Sequence, residues 1–251
     1  MIRNSIKVLY EDSDYLAINK PAGIMVHPNG RSEEATLVDW ILKKHPEMKD
    51  VRDRSRDSEV TDLEASDALR PGIVHRLDKE TSGVLVLVKN QKAFEFLKKQ
   101  FQEQRIKKVY HAFVYGRVKQ DDGVIDRPIA RSKNNPVIWS ATRGKKGQER
   151  DAVTEYRVLT QTEQATLLEL RPHTGRTHQL RVHLKAINYP VVCDRLYAPQ
   201  KACLFGFKRL ALHARSISFD LPSGKRITVE APYPADFAEA RNLLEKSDSK
   251  H

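Results

Sequence analysis

Short apolar runs separated by polar turns set the rhythm of the chain, and their spacing predicts strands more often than helices. Lys7–Tyr10 and Leu16–Lys20 read as two short strands joined by the acidic turn Glu11–Asp14, a hairpin pattern. Val84–Val88 is an unbroken apolar run, as expected of a strand buried on both faces. Lys107–Gly116 and Ala165–Arg171 predict two further strands. Ile217, Phe219 and Leu221, the turn Pro222–Lys225, and then Ile227 and Val229 predict a second hairpin. Helical spacing is found in four places. Leu37, Trp40 and Ile41 follow Thr36 as an N-cap; Phe94, Leu97 and Phe101 follow Asn90 as another. A third helix is expected from Thr177, burying Leu180, Leu184 and Ile187, and a closing one over Pro234–Leu244. Three stretches have no such pattern. Lys49–Asp67 is dense in charge and serine and is expected to be a mobile loop; Ala141–Arg150 reads as a Gly-rich basic loop, and Lys246–His251 as a frayed tail. Together these elements predict an α+β chain, one domain over residues 1–245, with a large mixed or antiparallel central sheet and flanking helices.

Charge sharpens that picture. Of 251 residues, 44 are Lys or Arg and 33 are Asp or Glu, a formal net charge of +11, which points to a polyanionic partner. Cys193 and Cys203 form no framework and have no partner at zinc spacing, so they read as small buried residues in a reducing, cytoplasmic setting. No apolar stretch approaches the ~20 residues of a membrane span, and neither export nor a membrane partner is expected.

The chemistry concentrates before the Val84–Val88 strand, in Arg70-Pro-Gly-Ile-Val-His-Arg-Leu-Asp-Lys-Glu-Thr-Ser-Gly83. Asp78 lies there between Arg76 and Lys79. Opposite charges favour the ionised carboxylate, which can act as nucleophile or base. The segment His75-Arg76-Leu77-Asp78-x-x-Thr81-Ser82-Gly83 resembles the signature of the RluA family of RNA pseudouridine synthases, whose aspartate is catalytic. Four more stretches resemble family motifs, in order: Lys20-Pro-Ala-Gly23 to His27-Pro28, Lys108-Val-Tyr110, Gly175-Arg176-Thr-His-Gln-Leu-Arg181-Val-His183, and Arg209-Leu-Ala-Leu212. The resemblance implies the pseudouridine synthase fold and catalytic roles for Asp78, Tyr110 and Arg181, with Tyr110 stacking on the target base and Arg181 pairing with Asp78. It implies substrate contacts for Arg76, His75, Arg176 and Leu212: Arg76 fills the gap left by a flipped uridine, Arg176 meets phosphate at a helix start, and Leu212 lines the uridine pocket. Asn188 and Cys193 stand where the family has glycine. Many relatives carry an S4-type RNA-binding domain ahead of the segment that matches Lys20, and none is expected here.

RNA, ribosomal first and transfer second, is therefore the expected partner of a monomer that needs no cofactor. His173, His178 and His183 invite a metal site, but a five-residue helical step turns successive rings about 140° apart, so no metal is expected. The P-loop order is missing, and Ser82, His75 and Asp78 lack the Gly-x-Ser-x-Gly elbow of a serine hydrolase. Two alternatives remain: a catalytically silent RNA-binding or ribosome-assembly factor on the same fold, and, more weakly, a glycosidase with Asp78 as nucleophile.

Overall fold

A computed structural model describes residues 6–28, 34–54, 70–133, 135, 138–142 and 144–248. The chain is α+β and sheet-centred, as expected, with four α-helices among the described residues. It divides into two compact units. The first is Met1–Ile106 with Ser216–Pro232; the second is Lys107–Arg215 with Tyr233–His251.

In the first unit β1 (Lys7–Glu11), β2 (Tyr15–Lys20) and β3 (Ser82–Val88) pair antiparallel in that order. Asp12 accepts the backbone N–H groups of Asp14 and Tyr15 and so shapes the β1–β2 turn. Every residue of β3 is buried, which its two-sided apolar pattern requires. Helix α1 (Leu37–Lys44) starts where Asp39 accepts both the N–H and the hydroxyl of Thr36. Helix α2 (Gln91–Gln102) starts where Asn90 accepts the N–H of Ala93. It buries Phe94 and Leu97, while Gln100 exchanges two hydrogen bonds with the backbone of Asp220. The hairpin of β11 (Leu212–Asp220) and β12 (Arg226–Glu230) lies where predicted, and its Phe219 meets Tyr15 edge-on at 5.2 Å.

In the second unit β4 (Lys107–Tyr115) pairs with β10 (Ala165–Pro172), β10 with β9 (Val153–Gln161), and β9 with β5 (Asp122–Asp126), all antiparallel. A separate three-stranded sheet has the order β7 (Trp139–Ser140), β6 (Ile129–Ser132), β8 (Lys145–Arg150). Helix α3 spans Gln179–Ala186 and α4 Ala235–Asp248.

Several expectations change. Ala141–Arg150 is not simply a loop, because its second half is β8. With no large apolar residue it pairs through its backbone with β6, whose Ile129 and Ala130 supply the buried side. Helix α3 starts at Gln179, not Thr177, because His178 is left-handed at φ 56°. The closing helix runs to Asp248, so Lys246 belongs to it. Cys193 and Cys203 are joined in a disulfide; Cys193 is buried and Cys203 exposed, so they are not two separate core residues. The cysteine count therefore carries no argument for a reducing compartment. Asn188 (φ 68°) and Cys193 (φ 57°) adopt the left-handed backbone that glycine would supply. Most of the loop expected at 49–67 lies outside the described residues; its start does not float, since Met48 and Val51 are buried. No helix among the described residues is long and apolar enough to cross a membrane.

Gly72 fixes the approach of the Asp78 segment to β3. It sits at φ 65°, accepts the N–H of Val88 and donates to the carbonyl of Val51. A Cβ there would collide with Met48 Cε and the carbonyl of Val88. The carbonyl is backbone and cannot step aside. Gly72→Ala should therefore lower unfolding stability by about 3 kcal/mol, the sum of left-handed strain and overpacking. Chemical denaturation measures it, and a loss below ~1 kcal/mol would show that the segment shifts freely.

Candidate active site

Asp78 lies half-buried in the first unit, in the turn before β3 that closes with Thr81 N–H donating to its carbonyl. The next carbonyl, that of Lys79, is held twice. Gly23 donates its N–H to it at 2.8 Å, and Lys20 donates from Nζ at 3.1 Å. Lys20 is fully buried and also donates to the carbonyls of Pro21 and Ile24, both at 2.9 Å. An ammonium has three donors, and three carbonyls accept here. The Lys20–Ile24 turn is thereby fastened to the residue after Asp78. His75 completes the frame: its Nε2 accepts the N–H of Val86 at 3.0 Å, and its ring stacks on Phe101 at 5.0 Å. That gives the imidazole a structural task within the signature. Arg76 is exposed.

Tyr110 lies half-buried on β4 of the second unit, opposite Leu170 and packed against the core around Phe113 and Leu168. Lys108 is two residues earlier and so on the same strand face. Its Nζ donates to the carbonyl of Thr174, and burial pushes its pKa down to about 8. Arg181 leaves α3 and grips Asp194 with two prongs, Nε and Nη2, each at 2.8 Å. The Asp194 side chain is wholly buried and also accepts the N–H groups of Leu196 and Tyr197. The guanidinium lies 5.0 Å from the Tyr197 ring centre. Charge-assisted bonds to a buried acid fix both the plane and the direction of that arginine.

Gln179 ties the segment before α3 together. Its side-chain oxygen accepts from the Thr174 hydroxyl and the Arg176 N–H, while its amide donates to Val153 O and Thr154 Oγ1. Arg176 is exposed and donates to the carbonyl of Asp151. Leu212 is buried in the Phe113 core at the start of β11. The three histidines go to separate partners: His173 to Glu155, His178 to Tyr197, His183 to Thr154 and Arg127. Among the described residues no three His, Cys, Asp or Glu side chains could hold a metal ion.

The model of the RNA pseudouridylate synthase family matches residues 14–186, which include Asp78, Tyr110 and Arg181. The chain belongs to that family. An uncharacterized RNA pseudouridine synthase of Bacillus subtilis is 39% identical over 244 residues, covering 96% of this chain and 74% of the relative. A protein named ribosomal large subunit pseudouridine synthase D from Borreliella burgdorferi is also 39% identical, over 88% of this chain and 62% of its own length. This chain thus spans 62% to 74% of the length of these relatives. Among solved structures, human RNA pseudouridylate synthase domain containing 4 superposes with a TM-score of 0.71 at 26% identity, over 95% of this chain and 92% of that one.

Lys20, Lys108, Gln179 and Asp194 are the residues whose tasks the sequence did not disclose. Lys20, Lys108 and Gln179 stand within the pseudouridine synthase motifs and Asp194 follows Cys193, one of the two positions where the family has glycine; only their bonds reveal what they do.

Two outcomes follow for these supports. Asp194→Ala strands the Arg181 guanidinium in a buried setting and should cost roughly 3–5 kcal/mol of unfolding stability by denaturation; a loss under ~1 kcal/mol would mean that Asp194 does not hold Arg181. In lysine-selective NMR, Lys108 should titrate near pH 8 and lose its charge as pH rises through that value, well below the usual lysine range. A midpoint above 10 would show that its amine is solvated.

Proposed function

We propose that this chain isomerises uridine to pseudouridine within structured RNA, ribosomal RNA first and transfer RNA second, and that Asp78 performs the chemistry. The observation that carries this reading is the fastening of the Asp78 turn by Lys20, Gly23 and Gly72, which presents one carboxylate on a rigid support inside the family signature. The names of the relatives favour a large ribosomal RNA substrate.

The reaction breaks the N1–C1′ glycosidic bond of a uridine, turns the uracil, and joins C5 to C1′; the C5 hydrogen leaves as a proton and N1 takes up a proton, so product and substrate are isomers. No electrons are gained or lost, so no redox partner enters the balance. A uridine must leave the RNA stack first, and Arg76, exposed two residues before Asp78, fills the gap by stacking and by pairing with phosphate. Tyr110 stacks on the extruded base. Arg181, oriented by Asp194, pairs with Asp78 through its fixed positive charge. Lys108, on the Tyr110 strand face, adds a positive charge at neutral pH. The RNA is encountered in the cytoplasm, and the chain acts as a monomer.

Asp78→Asn retains size and hydrogen bonding but removes the charge, so release of the C5 hydrogen from labelled uridine should fall by about 10⁴-fold or more. RNA affinity should hold or rise slightly, since a negative charge near phosphate is gone. Wild-type-like release from that variant would refute the assignment of Asp78.

A further inference from the structure

The small sheet of the second unit has no place in the chemistry above, yet its composition is lopsided. In sequence, residues 129–150 contain six cations, Arg131, Lys133, Arg143, Lys145, Lys146 and Arg150, and a single acid, Glu149. Glu149 is engaged by Lys145 at 2.6 Å. Arg131 occupies the central strand, where its cross-strand neighbours are Trp139 on one side and Lys146 on the other. Its guanidinium lies 4.7 Å from the Trp139 ring centre, and that of Arg150 lies 6.0 Å from the same ring. The indole is a fixed platform. Trp139 donates its backbone N–H to the hydroxyl of buried Tyr197 at 3.1 Å and packs against the cluster of Ile129, Val182 and Tyr197. Arg131, Lys146 and Arg150 are exposed.

Folding alone does not favour this pattern. Like charges directly opposite one another on neighbouring strands are destabilising, and Arg131 and Lys146 are so placed. A polyanion laid across the strands turns that repulsion into attraction and releases its own counterions. Guanidiniums already seated on an indole surrender little further freedom when they meet phosphate.

We propose that the face of β6, β7 and β8 is a docking surface for the sugar–phosphate backbone of RNA, apart from the residues assigned to the reaction. Arg131, Lys146 and Arg150 contact phosphates, and Trp139 is a positioning residue that orients the two guanidiniums. Phosphate rather than base is the ligand, because a guanidinium already holds the stacking position on the ring. The inference rests on the RNA-modifying reading and adds to it a surface that governs how substrate is held.

The test uses the full chain and a fluorescein-labelled stem-loop RNA carrying one uridine labelled at C5, with anisotropy read over a KCl series. The triple variant Arg131→Gln, Lys146→Gln, Arg150→Gln should weaken binding by about 10–100-fold and flatten the slope of log affinity against log salt by about 2–3, one for each phosphate no longer neutralised. The same number of charges removed elsewhere, as Lys43→Gln, Lys44→Gln, Lys225→Gln, should change affinity less than about threefold and leave the slope nearly intact. Trp139→Ala should flatten the slope and Trp139→Phe should restore most of it, which separates orientation of the cations from mere packing. At saturating RNA, kcat for C5 hydrogen release should be unchanged in the triple variant while KM rises. Wild-type affinity and slope in the triple variant, an equal effect of the comparison variant, or competition by polyglutamate as effective as by unlabelled RNA would each overturn the docking surface. None of these touches the assignment of Asp78. Absence of RNA binding by the wild-type chain would overturn both readings, and loss of turnover confined to Asp78→Asn would sustain the reaction whatever the small sheet does.

Discussion

A lysine with no exposed surface is a severe constraint on a fold, because removing an ammonium from water costs several kcal/mol unless every proton on it finds an acceptor. Lys20 meets that condition only if the carbonyls of Pro21, Ile24 and Lys79 converge on one point. Two of them belong to its own turn. The third lies 59 residues further on, so the demand of one charge fixes the distance between the end of β2 and the turn that carries Asp78. The antiparallel register Lys20↔Gly83 brings those segments side by side, and Gly23 adds a backbone bond to the same Lys79 carbonyl. Around this point the signature is fastened to β3 twice more, by Gly72 at Val88 and by His75 at Val86. A carboxylate meant to act on one bond needs such support, since a loop free to drift by an ångström forfeits much of the advantage of position.

Arg181 in the second unit is held by a different device with the same effect. Its charge is answered by a buried carboxylate, and Asp194 is itself anchored by two backbone N–H groups. The fork to Asp194 uses Nε and Nη2, which fixes the plane of the guanidinium. The arginine is oriented first, and whatever anion it serves meets a group that has no orientation left to lose.

Much of the strand and helix skeleton was legible because its signals are local, whereas β5 and β9 were not anticipated. Val84–Val88 could only be a two-sided buried strand, and Thr36 and Asn90 start their helices where their side chains suggest. The motif residues were legible by resemblance. Their supports were not: Lys20, Gln179 and Asp194 work through partners tens of residues away or through backbone atoms, and a sequence displays neither. The small sheet failed to show for another reason. Periodicity reports burial, and Lys145–Arg150 buries no large apolar side chain, so a real strand looked like a loop. The start of α3 was misplaced by two residues because a left-handed histidine before a helix carries no compositional mark. The Cys193–Cys203 link escaped notice because a left-handed turn brings together two residues that spacing alone leaves unrelated.

The cations of this chain therefore fall into two classes that respond differently to solution. Lys20 is held by carbonyls in the interior and Arg181 by the buried carboxylate of Asp194, and both charges are ordered parts of the structure. Arg131, Lys146 and Arg150 are exposed, oriented by an indole or by strand pairing rather than by burial, and remain screened by ions within about 10 Å. The first class serves geometry, which must persist through each turnover. On the proposed docking role the second serves contact with a polyanion, which must form and dissolve, and a charge that stays hydrated until the phosphate arrives is suited to that. Exposing Lys20 would loosen the Asp78 turn, whereas burying the cations of the small sheet would take away the hydration that keeps a phosphate contact reversible. If the small sheet docks RNA as proposed, the separation of one net charge of +11 into these two environments lets the chain hold the Asp78 carboxylate still while its grip on RNA remains reversible.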